Sequence, residues 1–359
     1  MNGRMLRVAL PGREYDIEIR RGALGSLPAK CRELMPKAER VFAVTDETVG
    51  GIYGARAVSS LEAAGYKVRL HVVPAGEESK SPEKLVEIWE AMAAFGFTRS
   101  DAVVALGGGV VGDLAGFAAA TVLRGVNFIQ VPTTLLAQVD SSVGGKVGID
   151  LKAGKNLAGA FWQPKGVLID PDCLETLSDR TFSDGMAEVI KYGCIRDATL
   201  FRRLAELGGR AGVMSEIEDV IYTCCDIKRA LVMEDERDTG ARMILNFGHT
   251  LGHAYELAGG YKTWTHGQAV AAGMVSAARI GTVLGVTPRE TEMQIREMLE
   301  QYKLPEKIEC PSEIMREAVS LDKKGSGSSV RLMLLKELGE AEIYPIERER
   351  LLALAEDVR

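Results

Sequence analysis

Three of the four histidines in this chain, His249, His253 and His266, lie close together in the sequence. Residues 246–257 are predicted to form a helix, which places His249 and His253 on one face with their Cβ atoms roughly 5–6 Å apart. Imidazole is the commonest metal ligand in proteins. The spacing predicts that both helical histidines bind one ion, and the alternative is a hydrogen-bonded packing pair. His266, followed by a glycine and a helix of small residues, favours the metal site.

A carboxylate that could complete this site lies in the predicted helix SDGMAEVIKYG. Glu188 and Lys191 are three residues apart, so they lie on the same side of that helix. If the pair were exposed, it would contribute little to stability. Glu188, however, is flanked by apolar residues on both sides, and a half-buried carboxylate is costly unless it binds a cation. We therefore expect Glu188 to face a metal ion.

Cationic and amide side chains precede the histidine helix. Most charges in residues 233–242, MEDERDTGAR, are expected to be solvated. Arg242 and Asn246 are better candidates for a binding role, because they are four residues apart and lie one turn before His249.

A glycine-rich segment, LGGGVVGDLAGF, follows the predicted strand of residues 101–106. Glycines between a strand and a helix allow backbone amides to approach a pyrophosphate, which the helix N-terminus also attracts. The spacing is not GxGxxG, so a simple tight turn is the alternative. Asp46 is placed either to bind a ribose or to cap a helix. Residues 74–81, PAGEESKS, are either a ligand loop or a solvated turn.

Residues 131–164 combine polar side chains with frequent glycines and show no clear hydrophobic period. Such a long irregular segment in a compact protein is usually functional. Lysines and an asparagine beside flexible backbone suit a phosphate or carboxylate, and the alternative is solvated loop lysines. The candidates are Thr133, Thr134, Asp140, Lys146, Lys155 and Asn156.

The elements that must position these residues change character halfway along the chain. Nearly continuous apolar runs at 40–45, 67–73, 101–106, 127–132 and 166–170 predict strands buried on both faces, hence a mostly parallel sheet covered by helices. Helical periodicity dominates after about residue 178, with a short β pair near the end. The pattern predicts a Rossmann-like α/β domain (1–175) and a mainly helical domain (176–359), with the active site in the cleft between them.

Composition excludes several classes of protein. The net charge of −6 has mixed signs and gives no broad attraction to nucleic acid or to an anionic membrane. Six cysteines without a CxxC pair are typical of a reducing compartment, so a cytoplasmic location is expected. No apolar run has the length of a transmembrane helix or the form of a signal peptide.

The motifs together resemble those of 3-dehydroquinate synthase, a sugar phosphate cyclase family related to glycerol dehydrogenases and iron-type alcohol dehydrogenases. The segments that carry the resemblance are GGGVVGDLAGF, TTLLAQVDSSVGGK, GKN, EVIKYG, LNFGHTLGHA and HGQAV, and they run in order over nearly the whole chain.

The resemblance implies two cofactors, NAD and one divalent metal, zinc or cobalt. It assigns the metal to Glu188, His249 and His266, three ligands that leave an open, catalytic position. It assigns NAD to the N-terminal domain, at Asp46, Glu77, Lys80, Gly109, Val110, Val111, Gly112, Asp113, Thr133, Thr134, Asp140, Lys146, Lys155, Cys173, Leu174, Glu175 and Thr176.

The implied substrate is 3-deoxy-D-arabino-heptulosonate 7-phosphate, which carries a carboxylate and a phosphate. The residues implied to bind it or to take part in catalysis are Lys146, Asn156, Lys191, Lys228, Arg242, Asn246, His253 and a C-terminal lysine, either Lys323 or Lys324. Arg124 matches an arginine that the family contributes across the interface of a homodimer. His253 is thus assigned to substrate and not to metal.

The implied reaction has no net redox change. NAD takes a hydride transiently, phosphate leaves by β-elimination, the hydride returns, and an intramolecular aldol step closes the ring of 3-dehydroquinate. The phosphate can act as its own base, so the protein mainly positions groups and stabilises charge.

Three other functions are compatible with parts of this pattern. A cyclase for a carboxylate-free sugar phosphate would need fewer anion-binding residues than this chain offers. A polyol dehydrogenase would accumulate NADH and release no phosphate. A noncatalytic nucleotide- or metal-sensing module would not need Lys146, Lys191 and Arg242.

Overall fold

The computed structural model describes residues 3–321 and 329–357, and its chain divides into two compact units. The first unit comprises Met1–Leu177 with Lys228–Met233, and the second comprises Ser178–Ile227 with Glu234–Arg359. No helix in the described ranges is both long and apolar enough to cross a membrane. All six cysteines are buried free thiols, as the absence of a disulfide pattern predicts.

The first unit contains nine strands and five α-helices within the described residues. The strands are β1 (Arg4–Val8), β2 (Tyr15–Ile19), β3 (Arg40–Asp46), β4 (Lys67–Val73), β5 (Ala102–Gly107), β6 (Phe128–Pro132), β7 (Lys146–Leu151), β8 (Gly154–Phe161) and β9 (Gly166–Ile169). The helices are α1 (Leu27–Leu34), α2 (Glu47–Val49), α3 (Ala55–Ala63), α4 (Pro82–Ala94) and α5 (Gly109–Thr121). Shorter 3-10 or π-helical turns cover Ala23–Ser26, Gly50–Gly54, Glu77–Ser79, Val122–Arg124, Ala137–Ser141 and Pro171–Thr176.

Seven of these strands form one sheet in the order β1-β2-β9-β6-β5-β3-β4. Only the β1–β2 pair is antiparallel among the described strands of this sheet, so the predicted mostly parallel sheet is confirmed. All five predicted strands are present, whereas β1 and β2 were not predicted. Alternate residues of β3 enter opposite cores, with Val41 and Ala43 on one face and Phe42 and Val44 on the other.

The prediction of an irregular segment at residues 131–164 is wrong. This stretch contains the π-helical turn Ala137–Ser141 and an antiparallel hairpin of β7 and β8. Glycines hide the strand pattern because they contribute no apolar side chain. They also permit the close pairing, since a Cβ on Gly148 would lie 2.7 Å from the carbonyl oxygen of Ala158.

The second unit is mainly helical, as predicted, with one antiparallel hairpin. Its helices are α6 (Asp179–Ile195), α7 (Ala198–Leu207), α8 (Arg210–Ser215), α9 (Ile217–Glu234), α10 (His249–Ala258), α11 (His266–Val283), α12 (Arg289–Gln301), α13 (Ser312–Leu321) and α14 (Arg348–Asp357). Residues Ala241–Asn246 form a 3-10 helix, and the hairpin consists of β10 (Ser329–Glu337) and β11 (Glu340–Glu347). The part of α9 from Lys228 to Met233 belongs to the first unit.

The predicted continuous helix over residues 246–257 begins three residues later than expected. Gly248 adopts a left-handed conformation with φ of 81° and separates the 3-10 helix from α10. A Cβ on Gly248 would lie 2.8 Å from the carbonyl oxygen of Val270, so both the backbone conformation and the packing require glycine. Arg242 and Asn246 therefore lie in the 3-10 helix and do not share an α-helical face with His249.

Candidate metal centre and active site

Glu188, His249 and His266 converge in the second unit. The Nε2 atom of His249 lies 3.5 Å from Oε1 of Glu188, and the Nε2 atom of His266 lies 3.3 Å from the same oxygen. One ligand atom from each of the three residues lies within 4.8 Å of the other two. Two imidazoles and one carboxylate form a donor set suited to zinc or cobalt, with a position left for substrate or water.

The local sequence determines that His266 is the first residue of its helix. Thr265 and Gln268 form a capping box, in which the Thr265 side chain accepts from the Gln268 backbone N–H and the Gln268 side chain accepts from the Thr265 N–H. Helix α11 therefore starts at His266. The next residue, Gly267, donates its N–H to Oδ1 of Asp184 at 2.6 Å, which ties the start of α11 to the helix that carries Glu188.

Glycines also set the distance between α10 and α11. A Cβ on Gly273 of α11 would lie 2.0 Å from the carbonyl oxygen of Gly248, just before α10. A Cβ on Gly252 would lie 3.1 Å from the carbonyl oxygen of Ala269. Because these positions lack side chains, the two backbones approach closely enough for the rings of His249 and His266 to lie 5.3 Å apart between centroids.

His253 is outside this cluster, so the hypothesis drawn from helical spacing, that His249 and His253 bind one ion together, is not supported. Their rings lie 5.7 Å apart at 89°, and His253 is exposed. Four-residue spacing places two side chains on one face but does not aim their nitrogen atoms at one point.

Glu188 is more deeply buried than expected, with 1% of the residue exposed. It forms an ion pair with Lys191, which is equally buried. Burial by itself lowers the pKa of His266, but the nearby carboxylates of Glu256 and Glu188 raise it well above its ordinary value. Two buried carboxylates, those of Glu188 and Glu256, thus flank the His266 ring.

Arg242 is buried, and it is held by residues of the loop 233–242, in which most charges are predicted from the sequence to be solvated. Its Nη1 donates to the carbonyl oxygen of Glu236 at 2.7 Å. The carboxylate of Asp235 accepts from the backbone N–H groups of Thr239, Gly240 and Arg242. Asn246 donates from Nδ2 to the carbonyl oxygen of Met243 at 3.0 Å.

In the first unit, four predicted residues from separate parts of the sequence gather around a fifth, Lys80. The Lys80 Nζ donates to Oδ2 of Asp113 at 2.8 Å and to Oδ1 of Asn156, and it lies 3.8 Å from Glu77. Lys155 lies 3.2 Å from the same Glu77 carboxylate. Burial alone lowers the pKa of Lys80, but Asp113 and Glu77 raise it above its ordinary value. Lys80 is therefore charged and links the segment 74–81 to α5 and to the hairpin.

The glycine-rich segment forms the predicted strand, turn and helix start, with α5 beginning at Gly109. A Cβ on Gly109 would lie 3.0 Å from Oγ of Ser141, and one on Gly112 would lie 2.8 Å from Oε1 of Gln130. Thr134 accepts from the N–H of Ala137 through Oγ1 at 3.2 Å. The glycines therefore serve tight packing, and ligand binding by this turn stays a prediction. Of the neighbouring candidates, Val110 and Val111 lie in the first turn of α5, and Thr133 directly follows β6.

Asp46 acts as a helix cap, because its Oδ1 accepts from the backbone N–H groups of Thr48 and Val49 at 2.9 Å each. A role for Asp46 in ribose binding stays a prediction. The segment of Cys173, Leu174, Glu175 and Thr176 lies in the 3-10 helix Pro171–Thr176.

Three of the remaining candidates, Lys228, Lys146 and Arg124, lie in the first unit. Lys228 donates from Nζ to the carbonyl oxygen of Asp140 at 2.6 Å and lies 3.0 Å from its carboxylate. Lys146 is exposed at the start of β7. Arg124 is exposed and has φ of 69°. Lys323 and Lys324 lie outside the described residues.

Two acidic residues beside these candidates were missed by sequence reasoning. The expectation that most charges in residues 233–242 are solvated overlooks Asp235, although DxxxxG with an arginine two residues later is a loop that a carboxylate can organise. Glu256 has no role in the predictions made from the sequence. Its spacing of seven residues from His249 and three from His253 places all three on one helical face, a signal that could have identified it.

Comparisons with known proteins agree with this architecture. Residues 70–184 match the 3-dehydroquinate synthase N-terminal family model, and residues 185–325 match the C-terminal one. The 3-dehydroquinate synthase of Clostridium beijerinckii is 49% identical over 338 residues, covering 94% of this chain and 96% of the relative. That of Enterococcus faecalis is 44% identical, covering 97% of each chain.

Solved structures share the fold. A 2-deoxy-scyllo-inosose synthase complexed with carbaglucose-6-phosphate, NAD+ and Co2+ has a TM-score of 0.89 and 24% identity, covering 99% of this chain and all of the other. The 2-epi-5-epi-valiolone synthase of Streptomyces hygroscopicus, with NAD+ and Zn2+ bound, has a TM-score of 0.86 and 26% identity, covering 96% of each. On the two family models and the close relatives, this chain belongs to the 3-dehydroquinate synthase family of enzymes.

Proposed function

We propose that this chain converts 3-deoxy-D-arabino-heptulosonate 7-phosphate into 3-dehydroquinate and phosphate, as a carbon–oxygen lyase. The observation that carries the proposal is the convergence of Glu188, His249 and His266 beside the buried Lys191 in a member of this family. A metal site next to a fixed cation suits a substrate that carries both a hydroxyl to be activated and anionic groups.

The metal would be held by Glu188, His249 and His266. Their donor atoms fit one zinc or cobalt ion, and three protein ligands leave a position open. When bound, the ion supplies a Lewis acid that polarises a substrate hydroxyl. Lys191, paired with Glu188, would keep a positive charge beside that position and contact a substrate anion.

NAD would bind to the first unit, and it supplies a hydride acceptor that is regenerated within each turnover. The backbone of the glycine-rich turn at the start of α5 would face its pyrophosphate, since a helix N-terminus attracts anions. The ion-paired cluster of Lys80, Asp113 and Glu77 fixes this turn relative to residues 74–81. Further contacts are proposed for Asp46, Thr133, Thr134, Asp140, Lys146, Lys155 and residues 173–176.

The substrate carries a carboxylate and a phosphate, and both would be met by positive or amide side chains. In the second unit these are Lys191, Arg242, Asn246 and His253, with Arg242 held in place by Asp235. In the first unit these side chains are Lys146, Asn156 and Lys228. We propose that a C-terminal lysine, Lys324 or Lys323, contacts the substrate as well. Arg124 would contact the substrate across a homodimer interface. We also propose that the enzyme is cytoplasmic.

The work of these side chains is positioning and charge stabilisation. Phosphate departure by β-elimination increases negative charge on the leaving oxygens, which lysines and arginine stabilise. The phosphate itself can accept the proton that is removed. His253, which is exposed one turn after His249, would donate a hydrogen bond to the substrate or exchange a proton with it.

One assay tests the proposal against its rivals. The protein is incubated with NAD, Co²⁺ and the heptulosonate phosphate, while phosphate release and absorbance of reduced nicotinamide are followed together. We expect phosphate release with catalytic amounts of NAD and no lasting NADH. Stoichiometric NADH without phosphate would indicate a dehydrogenase, and turnover of only a carboxylate-free sugar phosphate would indicate another cyclase. Glu188→Gln and His266→Ala should lose metal binding and turnover together.

A further inference from the structure

His266 lies between two carboxylates. Its Nε2 is 3.3 Å from Oε1 of Glu188, and its Nδ1 is 3.6 Å from Oε1 of Glu256. We propose that Glu256 is a positioning residue, whose carboxylate accepts the Nδ1 proton of His266 and thereby presents the Nε2 atom of that ring to the metal. This inference rests on the metal site of the proposed function.

The chemistry of imidazole requires such a partner. A neutral histidine that offers one ring nitrogen to a metal carries its proton on the other, and the acceptor of that proton fixes the tautomer and the ring orientation. His249 follows the same scheme, because its Nδ1 lies 3.1 Å from the carbonyl oxygen of Phe247 and its Nε2 faces Glu188. Both rings therefore turn Nε2 toward one point.

The two acceptors differ in charge. The acceptor for His249 is a neutral carbonyl, whereas the acceptor for His266 is a carboxylate, which forms the stronger bond. The 3.6 Å separation is about 0.4 Å beyond the usual hydrogen-bond range, so the proposal requires the Glu256 carboxylate to lie that much closer to Nδ1 when the metal is bound. A carboxylate partner makes His266 the more basic of the two rings toward a metal.

The fold holds Glu256 where this role needs it. Its side chain is 3% exposed, so water competes little for the carboxylate. Gly252, one turn earlier on α10, lets that helix approach α11, since a Cβ there would lie 3.1 Å from the carbonyl oxygen of Ala269. The same close approach brings Glu256 beside the first residue of α11.

The test is a Co²⁺ titration of the full-length wild type and of Glu256→Gln, followed by the visible absorption of bound cobalt. Glutamine keeps the size of the side chain but removes its charge. We expect the dissociation constant to rise on the order of 10–100-fold, with an altered cobalt spectrum. Excess Co²⁺ should restore most of the lost turnover, which a general structural defect would not allow.

Glu292→Gln is the matched control. Glu292 is also a poorly exposed carboxylate that serves α11, where its Oε1 accepts from Nε of Arg279 at 2.9 Å, but it is not among the three candidate ligands. We expect its cobalt affinity and spectrum to match those of the wild type. Equal affinity and spectrum in wild type and Glu256→Gln would overturn the role of Glu256. A wild type that binds no Co²⁺ would overturn the metal site itself.

If Glu256→Gln does not fold, a measurement on the wild type tests whether Glu256 accepts the Nδ1 proton of His266. Nitrogen-15 NMR of the Zn²⁺-loaded protein reports the tautomer of each ring, and the chain has only four histidines to assign. We expect His266 to carry its proton on Nδ1, at lower field than the corresponding proton of His249, because its acceptor is charged. A His266 with the proton on Nε2, or with an Nδ1 proton at higher field than that of His249, would refute the proposal.

Discussion

Gly267→Ala should damage the metal centre although it adds only one methyl group. A Cβ at this position would lie 2.0 Å from the carbonyl oxygen of Asp184 and 2.7 Å from its carbonyl carbon. Ordinary contacts begin at 3.4 Å, so the start of α11 must move away by the difference, about 1.4 Å. The obstructing atoms are backbone and cannot rotate aside.

That displacement acts directly on His266, the neighbouring residue. Metal–ligand distances tolerate deviations of only ~0.2 Å, so a shift of about 1.4 Å is several times larger than the site can absorb. We expect Zn²⁺ or Co²⁺ affinity to fall on the order of 100-fold. Forced overpacking should also lower the free energy of unfolding by ~1–3 kcal/mol.

The assay combines Co²⁺ titration with urea unfolding of the metal-free protein. Gly51→Ala provides the control, since a Cβ at Gly51 would meet no atom within 4 Å. We expect that variant to bind cobalt like the wild type and to be no less stable. A Gly267→Ala protein with wild-type affinity and stability would refute the claim that this close backbone contact positions His266.

Three further predictions concern other parts of the chain. Lys80→Met breaks a buried ion pair with Asp113 and should destabilise the protein by about 3–5 kcal/mol, whereas Lys84→Gln, at a more exposed pair, should cost less than ~1 kcal/mol in urea unfolding. Burial alone raises the pKa of Asp235, but three backbone N–H bonds lower it below the ordinary 3.8, so its stabilisation is present above that pH and is lost as pH falls through the folded pKa. Acid titration of unfolding should therefore show Asp235→Asn less stable than wild type near neutrality, with the gap closing at low pH. Co²⁺ at 100 times its dissociation constant should add ~2.7 kcal/mol to the free energy of unfolding, and a chelator or His249→Ala should abolish this gain.

The sequence was sufficient for most of the fold because burial leaves a local pattern. Four of the five predicted strands, β3, β5, β6 and β9, lie inside the sheet and are buried along nearly their whole length. The fifth, β4, is an edge strand whose residues are mostly exposed or half-buried, so the expectation that it is buried on both faces is wrong. The pattern also failed where side chains are absent and at the antiparallel end of the sheet. Glycines interrupt the apolar pattern of the β7–β8 hairpin, so the pattern did not predict it. It also did not predict β1 and β2, which form the antiparallel end of the sheet.

The kinds of residue in the metal centre were also evident from the sequence. Histidines beside glycines, and a carboxylate among apolar neighbours, already predicted a cation site. The family motifs then named Glu188, His249 and His266, a selection that helical spacing alone would have made differently. Spacing along one helix cannot rank His253 against a residue on another helix.

Only the tertiary structure decided how these side chains meet. The approach of α10 to α11 depends on side chains that are missing, at Gly248, Gly252 and Gly273, and periodicity records only those that are present. The same approach gives His266 its second carboxylate, Glu256, whose importance depends on a partner ten residues away on another helix. The sequence by itself determined which chemical groups the protein has, and packing between helices determined which atoms face each other, because hydrogen bonds and metal bonds depend on distances of a few tenths of an ångström.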